Sequence, residues 1–266
     1  MSVVIESVFK GITQALDFPR ICFDAHTATA TATGTASGSD VNWITDGETW
    51  TVWQGDAVSQ TVTLTFAGAT QTAYAGIAAH NLGTSGATVE LRLDGVSIVT
   101  TAPDDDSALL FLFKPRDVTT VEFVISGGSV APQMAVAQAG MPLEMPRLSD
   151  FLGLPISESK QVTYRHQTSI TGDVLGRSVE GASMSFELPV QYLPETFRTN
   201  TAAVSWKGFI DHVDNVGPFF VASKPSKYPD DVAYARVTER PRFNRELPNK
   251  VASGTVVFKC MGYVAP

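Results

Sequence analysis

A chain of 266 residues with 44% apolar and 17% charged side chains can bury substantial cores, which excludes a disordered polymer and suits two modest domains better than one. The net charge of −8 is uneven: 6 basic and 15 acidic residues up to Arg147 against 13 basic and 12 acidic from Leu148 on, so the acidic first half argues against nucleic acid as a partner. No apolar run approaches the roughly 20 residues of a membrane helix, so membrane insertion is not expected.

The first residues, Met1-Ser2-Val3-Val4-Ile5-Glu6, lack the basic and long apolar regions of a signal peptide, and a cytoplasmic origin is expected. Residues 1–19 read as an N-terminal arm or short helix. Cys22 and Cys260 sit in apolar strand-like contexts without neighbouring metal ligands, which points to two buried, reduced thiols; a disulfide between them is the alternative. The Thr/Ala/Gly/Ser-rich stretch 27–39 alternates, as a weak edge strand or an extended surface loop does.

Short amphipathic runs then succeed one another, each closed by turn residues. Thr61–Phe66, Thr88–Leu93 and Val118–Ile125 alternate apolar and polar side chains, and Ala108–Phe113 is a continuous apolar run of strand length. Strands at this spacing predict an antiparallel β-sandwich or barrel over residues 20–147, closed by Gln133–Ala139. Pro142, Pro146 and Pro155 mark a boundary near 142–156. Residues 148–266 read as a second, smaller β-rich domain. Its strands are expected near Lys160–Arg165, Val179–Leu188 and Thr255–Cys260. Its one helix is expected over Thr199–Val213, capped by Asn200 or Thr201, with Trp206, Phe209 and Ile210 at helical spacing.

Several residues qualify for chemistry. Trp50 and Trp53 suit a core or subunit interface, or alternatively a platform for sugar rings. His80 and Asn81, in His80-Asn81-Leu82-Gly83, either line a ligand cleft or form a turn in which Asn81 and Gly83 take positive φ and His80 bonds backbone. Asp104-Asp105-Asp106 lacks the spacing of a calcium loop and reads better as a solvated hairpin. His26, His166 and His212 are too scattered for a metal, no Gly-x-Ser-x-Gly is present, and no glycine loop opens a helix after a strand. No cofactor, metal or catalytic activity is expected. Arg236, Arg240, Arg242 and Arg245 form the one basic concentration. They either dock on an acidic neighbour as an assembly contact or lie in a mixed-charge loop in water.

Asn42-Trp43-Ile44-Thr45-Asp46-Gly47, Gln60–Phe66, the run Tyr74–Ala79 before His80-Asn81-Leu82-Gly83, and the exit Gly140-Met141-Pro142-Leu143-Glu144-Met145-Pro146-Arg147 together resemble the galactose-binding (discoidin-like) jelly rolls of tailed-bacteriophage structural proteins. Asp173–Ser178, Gly217–Ala222 and Lys227-Tyr228-Pro229 are similar to later segments of the same proteins. The resemblance implies a jelly-roll form for residues 20–147 and a non-enzymatic virion protein of the tail tip, baseplate or a tail ring. Its expected partners are other virion proteins and copies of itself. Assembly would run through residues 1–20, the Thr/Ala-rich stretch and the arginine segment 236–250. The alternative is a carbohydrate-binding module of a phage adhesin, reading host surface glycans with Trp50, Trp53, His80 and Asn81 gathered in one exposed cleft.

Overall fold

The computed structural model describes residues 3–147, 155–246 and 253–264, with backbone only at 168, 174, 181, 245, 246 and 253. The proline-marked boundary at 142–156 therefore lies partly outside the described residues. In the first half the strands are β1 (Val3–Ile5), β2 (Arg20–Ala25), β3 (Ala28–Ala32), β4 (Trp53–Gln54), β5 (Gln60–His80), β6 (Thr88–Leu93), β7 (Val96–Thr101), β8 (Leu109–Ser126) and β9 (Gln133–Glu144). The second half adds β10 (Lys160–Thr168), β11 (Val174–Pro194), β12 (Phe219–Ala222), β13 (Val232–Val237), β14 (Asn244–Glu246) and β15 (Ser253–Gly262), with helices α1 (Glu195–Thr199) and α2 (Trp206–Asp214). All pairings among these strands are antiparallel except β1 with β8.

The sandwich arises from two long strands that fold over. Phe111 and Phe123 both lie on β8, and a straight strand would hold them about 40 Å apart. Their rings are instead 6.1 Å apart. The register of β5 against β8 shifts between Thr65 and Thr70 and again between Thr72 and Tyr74, which is where the chain bends. The two layers then close over one core in which Val62, Leu64, Ile77, Phe111, Val121 and Phe123 are all buried. This is the antiparallel sandwich that the alternating runs predict, in the jelly-roll form that the resemblance implies.

The second half packs α2 onto its strands. Trp206, Phe209 and Val213 form the buried face, and Phe209 meets Phe219 edge-on with ring centres 5.1 Å apart. Ser205, not Asn200 or Thr201, caps this helix, its side chain accepting from Gly208 N–H at 3.2 Å. Ala202 and Ala203 stay outside it. The Ala203 carbonyl instead lies against the first turn of α2, where a Cβ at 208 would sit 2.1 Å from it, so Gly208 is required there. The expected helix is thus confined to Trp206–Asp214, and a short helix that was not expected, α1, precedes it.

One sheet runs through both halves. β2 lies between β9 and β12, with Ile21 opposite Leu143 on one side and Val221 on the other. A shared core joins Tyr74 and Val136 to Phe220 and Tyr234. Gly76 is needed there, because a Cβ would lie 2.7 Å from the Phe220 ring.

The N-terminal segment is extended, and it is not a free arm. β1 pairs with β8, Phe9 and Leu16 are buried, and the Glu144 carboxylate accepts from the N–H groups of Ile12, Thr13 and Gln14 at 3.0, 2.6 and 2.9 Å. The segment is thus docked on its own chain, with Val8 and Ile12 left exposed. In the Thr/Ala-rich stretch, residues 28–32 are the strand β3, paired with β5, and the rest is loop.

Cys22 and Cys260 are free and buried. Burial pushes the Cys260 thiol up to about 12 and moves Cys22 in the same direction. We expect neither thiol to react with a disulfide reagent in the native protein and both to react at once in denaturant. One thiol titrating rapidly without denaturant would contradict this burial.

Candidate functional site

The loop between the first 3-10 turn (Val41–Thr45) and β4 builds the most developed surface site. Asp40 caps that turn, accepting from Asn42 N–H, and Ile44 anchors it in the core. Asp46 then fixes the next five residues of the loop. One of its carboxylate oxygens accepts from Glu48 N–H at 2.7 Å and the other from the Thr51 hydroxyl at 2.8 Å. Gly47 takes φ +79°, and its carbonyl accepts from the Tyr234 hydroxyl at 2.8 Å, stapling the loop to β13.

This geometry presents Glu48 and Trp50. Glu48 accepts from Arg236 at 2.7 Å through one oxygen and from the Trp50 indole N–H at 3.2 Å through the other. The hydrogen bond from Arg236 is the main reason that the Glu48 carboxyl lies below its usual pKa. Both partners are more than a third exposed, so this bridge contributes little to stability and acts chiefly to orient. Trp50 is 77% exposed, its edge held and its face open to water. Beside it a cleft of about 270 Å³ is lined by Glu48, Ser183, Tyr234, Arg236 and Tyr263 among others.

The remaining residues singled out from sequence go elsewhere. Trp53 is fully buried and donates its indole N–H to the Thr35 hydroxyl at 3.0 Å. It belongs to the sandwich core and cannot serve as a sugar platform. His80 is also buried; its Nδ1 accepts from Leu82 N–H at 3.2 Å. Trp53 and His80 flank Met134 of β9 from opposite sides. Asn81 spends its amide on backbone, donating to Ala131 O at 3.0 Å and accepting from Gln133 N–H at 2.8 Å. The four residues expected in one exposed cleft are therefore dispersed, and only Trp50 is open. The turn reading holds with a correction: positive φ falls on Ala79, not on Asn81 or Gly83. Gly83 is required instead because a Cβ would lie 2.2 Å from the Asp105 carbonyl.

The acidic run is engaged locally, Asp106 accepting from Thr84 N–H at 2.9 Å and Asp105 from Ser107 N–H at 3.0 Å. Among the described residues no group of three or more His, Cys, Asp or Glu is placed to hold a metal ion, and no helix is long and apolar enough to cross a membrane. Of the arginines, Arg236 pairs with Glu48 and Arg240 with Asp214 at 2.9 Å, both within the chain. Arg242 lines an open groove with Arg198, Lys207 and Arg240. The Arg245 side chain and residues 247–250 lie outside the described residues. Glu48, Tyr234 and Tyr263 were not legible as site residues: Glu48 meets Arg236 across 188 positions of sequence.

His80 gives the fold a pH dependence. Burial lowers its pKa more than Asp106, 4.0 Å away, raises it. A base whose folded pKa is depressed contributes stability that is complete above its unfolded value of about 6.5 and is lost as pH falls below it. We expect the Tm to fall as the pH is lowered below about 6.5, and His80→Gln to flatten that decline. A His80→Gln profile parallel to the parent's would assign the decline to other groups.

No protein-family model matches the chain, and no curated protein matches it. Solved structures match part of it. The module CpGH89CBM32-5 from Clostridium perfringens, in complex with GalNAc-β-1,3-galactose, shares 20% identity at a TM-score of 0.39, over 43% of this chain and 95% of that one. The family 32 carbohydrate-binding module of C. perfringens NanJ, in complex with galactose, shares 17% at 0.38, over 46% and 98%. A chitosan-binding module from a Paenibacillus sp. IK-5 chitosanase/glucanase shares 16% at 0.38, over 44% and 97%.

Proposed function

We propose that this chain is a recognition protein, not an enzyme, and that it binds carbohydrate at the cleft beside Trp50. One observation carries the reading. Trp50 is a large aromatic face left 77% exposed while its indole N–H is held by Glu48, itself held by Arg236. A fixed, open aromatic face offers stacking to a sugar ring, and the carboxylate and guanidinium beside it offer directional bonds to hydroxyls. Tyr234 and Tyr263 line the cleft itself, and Trp50 adjoins it through Glu48. The test is calorimetric titration with galactose- and N-acetylgalactosamine-terminated oligosaccharides. Saturable binding that Trp50→Ala reduces at least tenfold, about 1.4 kcal/mol, is the expected result. No binding, or binding indifferent to Trp50→Ala, overturns it.

A second reading, a structural protein of a tailed-phage particle, draws on a different feature. Beyond the Lys160–Met184 pair, β10 and β11 continue as a two-stranded hairpin on which no described side chain from 161 to 183 is buried. A hairpin with both faces in water is marginal by itself, and placement against a neighbour would stabilise it. Mass spectrometry of purified particles would find the chain at a fixed copy number under this reading, and its absence from particles would discard it.

A further inference from the structure

The strand order of the sheet runs from β10 at one end to β7 at the other. These two ends are chemically unlike. β7 reads Val96-Ser97-Ile98-Val99-Thr100-Thr101, without a charge or a proline, and Val96 is 63% exposed. Edge strands are ordinarily guarded by lysines, prolines or bulges, because an open row of N–H and C=O groups pairs with any available strand. No lysine or proline guards β7; its one irregularity is a bulge at Ile98, where Leu91 faces Val99 and Arg92 faces Ser97. Of the other uncharged strands paired on one side, β3 and β4 have the Val41–Thr45 turn packed against them, and in β1 Val3 N–H donates to Pro229 O at 2.8 Å. β10 belongs to the exposed hairpin, which carries Tyr164, Ile170, Leu175 and Val179 at 41, 106, 68 and 64% exposure.

Charge distinguishes the ends as well. The hairpin from 160 to 183 holds Lys160, Arg165 and Arg177 against Asp173 and Glu180, and Arg177 stacks on the Tyr164 ring at 4.2 Å. The β7 end, from 88 to 106, holds Glu90, Asp94, Asp104, Asp105 and Asp106 against Arg92.

From this we infer that copies of the chain join head to tail, the β10–β11 hairpin of one copy pairing along the β7 edge of the next. Lengths agree: six residues of β7 span about 20 Å, within the reach of nine-residue β10. The joint covers an edge that no lysine or proline guards, buries apolar groups of the hairpin and sets a slightly basic surface on an acidic one. Because the two patches differ and lie at opposite ends of the strand order, the contact is heterologous, which builds a ring or an open filament. The inference rests on the assembly reading.

The test uses the full chain. Sedimentation at about 100 μM, where a micromolar contact is saturated, is expected to show assemblies larger than a dimer that dissociate on adding salt. The double variant Val96→Lys/Thr100→Lys, folded by circular dichroism, is expected to sediment as a monomer. Two cysteine variants supply the register. Thr163→Cys mixed with Thr100→Cys is expected to give a mixed disulfide, both native thiols being buried. A monomeric parent at that concentration overturns the inference. So does a Thr100→Cys variant that links only to itself, which would mean a β7–β7 dimer. Self-association through this register, in a chain absent from phage particles, would uphold the inference and sink only the virion reading.

Discussion

Replacing Arg20 by methionine should destabilise the protein by about 3–5 kcal/mol, among the largest effects of any single polar substitution in it. The guanidinium is fully buried and pairs with Glu144 at 3.0 Å. It also donates to the carbonyls of Phe18, Gln14 and Ala15 at 2.9, 2.7 and 3.0 Å. Burial lowers the Arg20 pKa despite its carboxylate partner, a sign that the ion is costly to hold there. On Glu144 burial works upward, but Arg20 and the donors of Thr13 and Ile12 outweigh it and hold the carboxyl below its usual value. Removing the arginine alone strands that carboxylate in a dry site. Removing both partners leaves no buried charge, although several backbone groups of residues 12–18 lose their bonds. Urea denaturation of Arg20→Met, Glu144→Gln and the double variant is therefore expected to be non-additive, the two single losses exceeding the double by about 1–3 kcal/mol. Additive losses would mean that the pair does not work as a unit.

Trp53→Ala should cost a similar amount, about 3–5 kcal/mol, for a different reason. The indole is fully buried in the sandwich core, and truncation leaves a cavity together with an unpaired Thr35 hydroxyl. Trp50→Ala, three residues away on an exposed loop, should change stability by less than about 0.5 kcal/mol. The contrast is read by thermal or urea unfolding of the two variants side by side. Equal losses would contradict the division between a structural and a presented tryptophan.

Much of the first half was legible because amphipathic strands announce themselves by alternation. The lengths were not. β5 extends to His80 and β8 begins at Leu109, well beyond the alternating Thr61–Phe66 and Val118–Ile125. From Thr72 to His80 every residue of β5 is buried, and a strand covered on both faces has no period of two to detect. The hairpin misleads in the opposite way. Its alternating valines, leucine and tyrosine resemble any core-facing strand, and composition does not reveal that neither face has a cover. The helix start is displaced although Asn200 accepts from Ala202 N–H at 3.0 Å, because residues 200–205 are not helical and Ser205 caps the helix that forms.

For the site, Trp50 and Arg236 were each visible as residue types worth watching, but in separate roles. The residue that unites them is Glu48, an ordinary surface glutamate until the fold sets β13 beside its loop. Trp53, His80 and Asn81 drew attention by chemistry and spacing, yet the same properties serve a core indole and a hydrogen-bonded turn. Burial decides between the two uses, and burial depends on strand pairs such as Trp53 with Met134 that sequence spacing does not encode.

The most direct measurement of carbohydrate recognition is fluorine NMR of fluorotryptophan-labelled protein titrated with saccharide. The chain has four tryptophans, so four signals are expected, with Trp50→Phe assigning the exposed one. Recognition at the Trp50 cleft predicts that this signal alone moves and saturates while those of Trp43, Trp53 and Trp206 stay in place. A spectrum unmoved by every saccharide, or one in which another tryptophan shifts while Trp50 does not, would contradict it.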